Sequence, residues 1–286
     1  YYNTEGSYNT ALGTIAMHSN TNGGNNTAVG YAALYDNTIG IGNVAHGFCS
    51  VVNNTIGNYN VGVGCMSLFT NITGDNNTAI GTCALATNNA ALNTAVGRDA
   101  MRYNTTGTSN EAFGAYALRS NTTGKQNVAV GPYALYANNA DYSVAVGTYA
   151  LCTNDSGGYN IGIGRSALMK NTSSSLNTAV GTYALCNNTT TDGNTAIGYG
   201  VLQQATAAAN TGVGSSALTT NTSGVCNAAV GFKSMYINTT GTQNVAIGAC
   251  SLYSNTVGSD NVAVGFGSLT LSTTGTSNVG VGKNAL

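Results

Sequence analysis

The chain has 286 residues and a mass of 28.7 kDa, with 42% hydrophobic residues, only 6% charged residues and a formal net charge of −1. Eight Lys and Arg against nine Asp and Glu leave no basic stripe for nucleic acid or an anionic membrane surface, and no apolar run reaches the ~18 residues that a bilayer-spanning helix needs. The apolar fraction is too high for compositional disorder, so so charge-poor a chain must stay soluble through Asn, Thr, Ser and Gly or through groups attached to them.

Read from its first residue, the chain repeats itself. It opens at Tyr1-Tyr2-Asn3-Thr4-Glu5-Gly6, inside the turn of a repeat, and then meets a Gly that follows an apolar or aromatic position at 13, 30, 47, 64, 81, 97, 114, 131, 147, 164, 181, 198, 214, 231, 248, 265 and 282. The step is 17 residues thirteen times and 16 residues three times, and the chain stops at Ala285-Leu286, midway through another repeat. With this Gly as position 0, position −4 is Asn in 16 of 17 copies and position +7 is Asn in 14 of 16. Position −3 is mostly Thr, Val or Ile, −2 is only Ala or Gly, and −1 is Val or Ile in 14 copies. Position +3 is Ala or Ser except at Val201, and +4 is Leu or Met except at Val51. The three short copies, around Asn88–Leu92, Asn138–Tyr142 and Ala205–Ala209, lose a residue after +7, which marks the following stretch as a surface turn.

Each copy predicts one strand over −4 to −1, β-branched and ended by Gly. Alternation puts −3 and −1 on one side and −4, −2 and 0 on the other. Positions +1 to +6 are too short to assign to strand or helical turn. A 17-residue unit cannot bury a core alone, but stacked units can. The expected fold is therefore all-β: a parallel β-solenoid of about 17 coils with a 17-residue repeat, running as one domain over residues 1–286 without separate caps. The −1 Val and +4 Leu columns are expected to form the dry interior. The Asn columns are expected at corners, where Asn tolerates left-handed backbone and pairs with the copies above and below. The obligatory small residue at −2 implies close approach of another backbone, from the opposite wall of a thin coil or from a second chain; self-association is the favoured expectation.

The Asn-Thr-Ala-Val-Gly core, as in Asn26–Gly30, Asn127–Gly131 and Asn177–Gly181, resembles the head repeat of trimeric autotransporter adhesins. The longer unit, as in Asn104-Thr105-Thr106-Gly107 or Asn121-Thr122-Thr123-Gly124, is similar to repeats of phage and large-virus tail fibres and of extracellular microbial fibres. The resemblance implies parallel β-rolls, self-association and an extracellular, cell-surface or virion-surface location. The period of 17 residues is longer than that of the adhesin heads. The ends carry no initiator Met, leader or cap, which is expected of a segment of a longer fibre or of a subunit that stacks head to tail.

Seven cysteines lie at Cys49, Cys65, Cys83, Cys152, Cys186, Cys226 and Cys250. Cys65 and Cys83 fall on adjacent coils and are the candidate disulfide, with Cys49 and Cys65 also close enough to pair; small apolar free thiols are the plainer expectation. With no CxxC, no zinc site is expected. Asn-x-Ser/Thr occurs at +7 in eight copies, Asn71, Asn104, Asn121, Asn154, Asn171, Asn188, Asn221 and Asn238, and elsewhere at Asn25, Asn53, Asn76 and Asn187. These are candidate N-glycosylation sites, and covalent glycans along one edge would replace missing charge. Seventeen Tyr recur at a few phases and are expected as outward ladders. His46 is expected in the core and His18 at the surface. Nine scattered acids recur at no phase, so no carboxylate pair is prepared for catalysis.

The chain is therefore expected to be no enzyme and to take no cofactor, metal, nucleic acid or membrane-inserted role. Its expected partner is itself, in a homo-oligomer or head-to-tail filament. A structural extracellular fibre is the main reading; an adhesin or viral tail-fibre shaft that binds a host surface or glycan is the alternative. An ice-binding solenoid needs a flat Thr-x-Thr face, and the mixed −3 column does not supply one.

Overall fold

Every copy of the repeat becomes one coil with a three-residue strand in front of its anchor Gly. The computed structural model describes residues 2–286, and the chain divides into two compact units, Tyr1–Tyr142 and Ser143–Leu286. The first contains β1 (Thr10–Leu12), β2 (Thr27–Val29), β3 (Val44–His46), β4 (Val61–Val63), β5 (Thr78–Ile80), β6 (Thr94–Val96), β7 (Glu111–Phe113) and β8 (Val128–Val130). The second contains β9 (Val144–Val146), β10 (Ile161–Ile163), β11 (Thr178–Val180), β12 (Thr195–Ile197), β13 (Thr211–Val213), β14 (Ala228–Val230), β15 (Val245–Ile247), β16 (Val262–Val264) and β17 (Val279–Val281). Within each unit consecutive strands pair in parallel, in the register that aligns like positions, so Thr27 meets Val44 and Ala28 meets Ala45. Among the described residues there is no helix. The fold is an all-β parallel β-solenoid, as the repeat predicts.

The backbone of a coil bonds to both neighbours. Thr27 N–H donates forward to Asn43 O at 2.8 Å, and Gly30 N–H donates back to Leu12 O at 2.8 Å. The arm after the Gly continues this pattern: Ala32 N–H donates back to Thr14 O, and Leu34 N–H forward to Ser50 O. Positions +2, +4 and −5 carry positive φ near +50 to +60°, as at Tyr116, Leu118 and Gln126. The anchor needs Gly for a separate reason. Its φ lies between +113 and +141°, and a Cβ there would meet the next anchor's backbone, for example 2.3 Å from Gly198 O at Gly181.

The interior differs from the expectation at one column. Ala at −2, Ala or Ser at +3 and Leu at +4 are the buried residues, with Ala28, Ala33 and Leu34 at 0% exposure. Position −1 points outward: Ile80, Ile197 and Ile247 expose 41%, 41% and 45%. Parity explains this. The Asn at −4 is buried, and side chains alternate along a strand, so −2 follows it inward and −3 and −1 face out. The space between the two arms admits Ala against Leu and nothing larger. At Gly162, a −2 position, a Cβ would stand 3.3 Å from the backbone Ala167 O of its own coil and 3.2 Å from Leu151 Cγ of the preceding one, so the close approach implied by the small residues is the opposite wall of the thin solenoid. His46, on the outward column, is exposed and not in the core. His18 is half-buried, stacked on Tyr35 at 4.9 Å and edge-on to Tyr2 at 5.5 Å.

Candidate functional site

The polar groups that recur most are spent on the coil itself. Asn43 at −4 donates its backbone N–H to Asn26 Oδ1 of the coil before and its Nδ2 to Gly57 O of its own turn's successor, both at 2.8 Å. Asn54 at +7 donates Nδ2 to Asn37 Oδ1 and to the same Gly57 O, both at 2.9 Å, and accepts from Asn71 Nδ2 at 3.1 Å. One inward carbonyl thus receives two amides, and this explains the Gly at +10: a Cβ on Gly57 would stand 2.4 Å from Asn54 Oδ1 and 2.5 Å from Gly74 O. In the short copies Ala90 O and Ala140 O take over that role, each accepting two Asn amides at 2.8 Å. Deletion in the turn therefore leaves the ladder in register. At the outer side of the turn, Thr38, Ile39 and Gly40 N–H all converge on Thr55 O at 3.0 to 3.3 Å, joined by Thr38 Oγ1 at 2.9 Å.

These ladders correct the glycosylation expectation. Asn71, Asn104, Asn121, Asn154, Asn171, Asn188, Asn221 and Asn238 are all at 0% exposure. The nitrogen that would carry a sugar donates inside the coil, as Asn104 Nδ2 does to Asn88 Oδ1 at 2.7 Å and Gly107 O at 2.8 Å. A glycan at +7 and a closed coil exclude each other. Of the other sequons, Asn25 and Asn76 are exposed, and Asn53 and Asn187 are half-buried.

All seven cysteines are free thiols, so Cys65 and Cys83 are not bridged. They do lie on adjacent coils, where Cys83 N–H donates to Cys65 O at 2.9 Å. Burial raises the pKa of the Cys49, Cys83, Cys152 and Cys186 thiols, with neighbouring Cys65 adding to the rise at Cys49 and Cys83. Among the described residues no three His, Cys, Asp or Glu side chains group where they could hold a metal ion, and no helix is long and apolar enough to cross a membrane. A cavity of about 180 Å³ lies on the first coil, lined by Asn3, Asn9, Ala11, Ala16, Met17 and Asn20. These are the same interior positions that stack against a neighbour elsewhere.

Tyrosines form outward ladders as expected: Tyr116 on Tyr133 at 4.9 Å, Tyr236 on Tyr253 at 5.5 Å, and Tyr31 on Phe48 at 5.4 Å. What the sequence reading missed is a guanidinium cluster woven into one of them. Arg98 lies 4.7 Å over the Tyr116 ring and donates to the Tyr116 hydroxyl. Arg119 lies 5.0 Å from Tyr103 and 5.8 Å from both Tyr116 and Tyr136. It donates to Tyr136 Oη at 2.9 Å and, more weakly, to Tyr103 Oη at 3.5 Å. Arg102 pairs with Asp99 at 2.9 Å. Superimposing the repeats carries the signal: Arg98 at +1, Arg102 and Arg119 at +5, and Tyr at +2, +5 and +6 share the outward side of the second arm.

No protein-family model matches the chain, and no curated protein does.

Proposed function

We infer that the chain is a structural element of an extracellular fibre or filament that extends by stacking like coils. The observation that carries this reading is the self-complementarity of the coil. One side presents Asn acceptors and the other presents Asn amides and N–H groups that fit them, the same way along the stack except where Ser143, Ala205 and Ser272 replace the Asn, so a stack of coils has no intrinsic length. The recurring polar side chains serve this ladder, which supports a non-enzymatic role. The surface location rests on the resemblance of the Asn-Thr-Ala-Val-Gly core to fibre repeats. Electron microscopy of the purified chain tests the reading, together with X-ray diffraction from an oriented sample. Long unbranched filaments with an axial repeat of ~4.8 Å are expected. Monodisperse particles at every concentration overturn filament assembly.

The second reading is a shaft that holds a surface or a glycan. The outward aromatic positions favour it, because exposed Tyr, as at Tyr31, Tyr59 and Tyr199, offers both an apolar ring and a hydroxyl to a sugar.

A further inference from the structure

We propose that the outward side of the coils between Arg98 and Tyr136 is a binding site for an acidic saccharide, a sugar chain bearing carboxylates or sulfates. The proposal goes beyond the fibre reading and does not depend on it. Its first ground is charge. Four of the chain's eight cations, Arg98, Arg102, Arg119 and Lys125, fall within 28 consecutive residues of a molecule whose net charge is −1. In the cluster itself three guanidiniums face one carboxylate, Asp99, which leaves two positive charges in surplus. Like charges on adjacent coils repel, and a bound anion removes that cost.

The second ground is how the guanidiniums are held. The hydrogen bonds of Arg98 and Arg119 go to the neutral phenol oxygens of Tyr116, Tyr136 and Tyr103; Arg98 Nε also stands 3.9 Å from Asp99 Oδ2, whereas the Arg119 charge is fixed in place by neutral partners alone. Arg119 Nε is buried without a hydrogen-bond partner. Each of these Tyr oxygens accepts from an Arg and keeps its own hydrogen to donate. The site therefore offers planar forks suited to carboxylate or sulfate, beside hydroxyl donors suited to a sugar. It is open to solvent: the Arg98 side chain is 60% exposed and Tyr103 is 38% exposed.

The third ground separates a saccharide from single-stranded nucleic acid, the other polymer that uses Arg and Tyr. Bases need open ring faces and a cationic track. Here the Tyr116 ring has Tyr133 stacked on it and Arg98 and Arg119 packed against it, and the cations stop after a few coils. A short acidic saccharide uses ring edges, hydroxyls and forks, which are what the surface leaves available.

Calorimetric titration of the full chain tests this with four probes: dextran sulfate, an oligouronate, neutral dextran and an oligothymidine of matched charge. The acidic saccharides are expected to bind and neutral dextran not to. R98Q/R119Q should lose at least ~10-fold in affinity. R98K/R119K, which keeps the charge but loses the planar fork, should lose several-fold. Y136F should also weaken binding, while R165Q, an isolated Arg beside Tyr183, should leave it unchanged. All four substituted positions lie outside the buried core, and an unchanged unfolding transition verifies the fold of each variant. Failure of the acidic saccharides to bind, equal binding of neutral dextran, equal affinity of R98Q/R119Q, or tighter binding of the oligothymidine would each overturn the proposal. Filament formation is read separately by microscopy, so loss of one reading leaves the other standing.

Discussion

Gly212 and Val201 show how one residue's size sets its neighbour's. Position −2 is Ala over every coil with Ala at +3 and Leu at +4 except at Gly162, and it is Gly at 212, directly over the chain's single Val at +3. A Cβ on Gly212 would stand 2.5 Å from Val201 Cγ1; a Cβ on Gly62 would stand 2.4 Å from Cγ2 of Val51, the single Val at +4. An interior this thin has no slack for one methyl group, and close-packed cores register such changes. Gly212→Ala alone is therefore expected to cost about 1–3 kcal/mol by overpacking. Val201→Ala in the same chain removes the clash and restores the ordinary Ala-on-Ala pair, so the double variant should recover most of the loss. A double-mutant cycle in denaturant unfolding checks this, and additive costs would show that the two residues do not touch.

At the scale of the element, the coil is held less by its three-residue strand than by its Asn columns. Leu34 and its equivalents contribute about 1.5–3 kcal/mol each through burial, but it is the amides that fix which residue faces inward. Asn54→Ala removes two donated bonds and one accepted bond and leaves the buried Asn37 Oδ1 and Asn71 Nδ2 each short of a partner. The expected loss is about 2–4 kcal/mol. It should appear as lowered amide hydrogen-exchange protection centred on the coils of residues 37–71, because each coil touches only its neighbours; a loss spread evenly over the whole unit would contradict the local coupling. The columns also explain what was readable in advance. The strand, its 17-residue step and its two-faced alternation follow from β-branched residues flanking a small one. Which face lies inside does not follow, because alternation fixes parity alone. The deciding fact is that the Asn amides are satisfied internally, and only the paired coils reveal it. One clue was present: Asn20, Asn37, Asn54 and Asn255 hold position +7 although no Ser or Thr stands two residues later. The repeat keeps the Asn and not the sequon. The guanidinium cluster was illegible for a related reason, since Arg98, Arg119 and Tyr136 meet only when the coils are laid one on another.

For the whole molecule, the same columns decide how the chain can be made. Sugar is transferred to Asn-x-Ser/Thr while the chain is still extended, when all twelve sequons look alike. In the folded chain eight of them lie at 0% exposure with their amides in the ladder, whereas Asn25 and Asn76 are exposed. A glycan on Asn121 would have to displace the bonds from its Nδ2 to Asn104 Oδ1 and Gly124 O, at 2.8 and 3.0 Å, and then occupy a space that holds Leu and Ala. Such a coil cannot close, and its neighbours lose the partner on that side. Expression through a glycosylating secretory pathway should therefore split the product. The protease-resistant fraction carries sugar at Asn25 and Asn76, with Asn53 and Asn187 the only other acceptors, and none at the eight interior positions. The modified remainder is degraded or aggregates. Blocking glycosylation, or replacing the +9 Ser or Thr by Val as found at Val257, should raise the folded yield. Glycopeptide mass spectrometry on the protease-resistant fraction reads the outcome, and a resistant, fully folded chain with sugar on Asn121 would show that the +7 column does not lie where the ladder puts it.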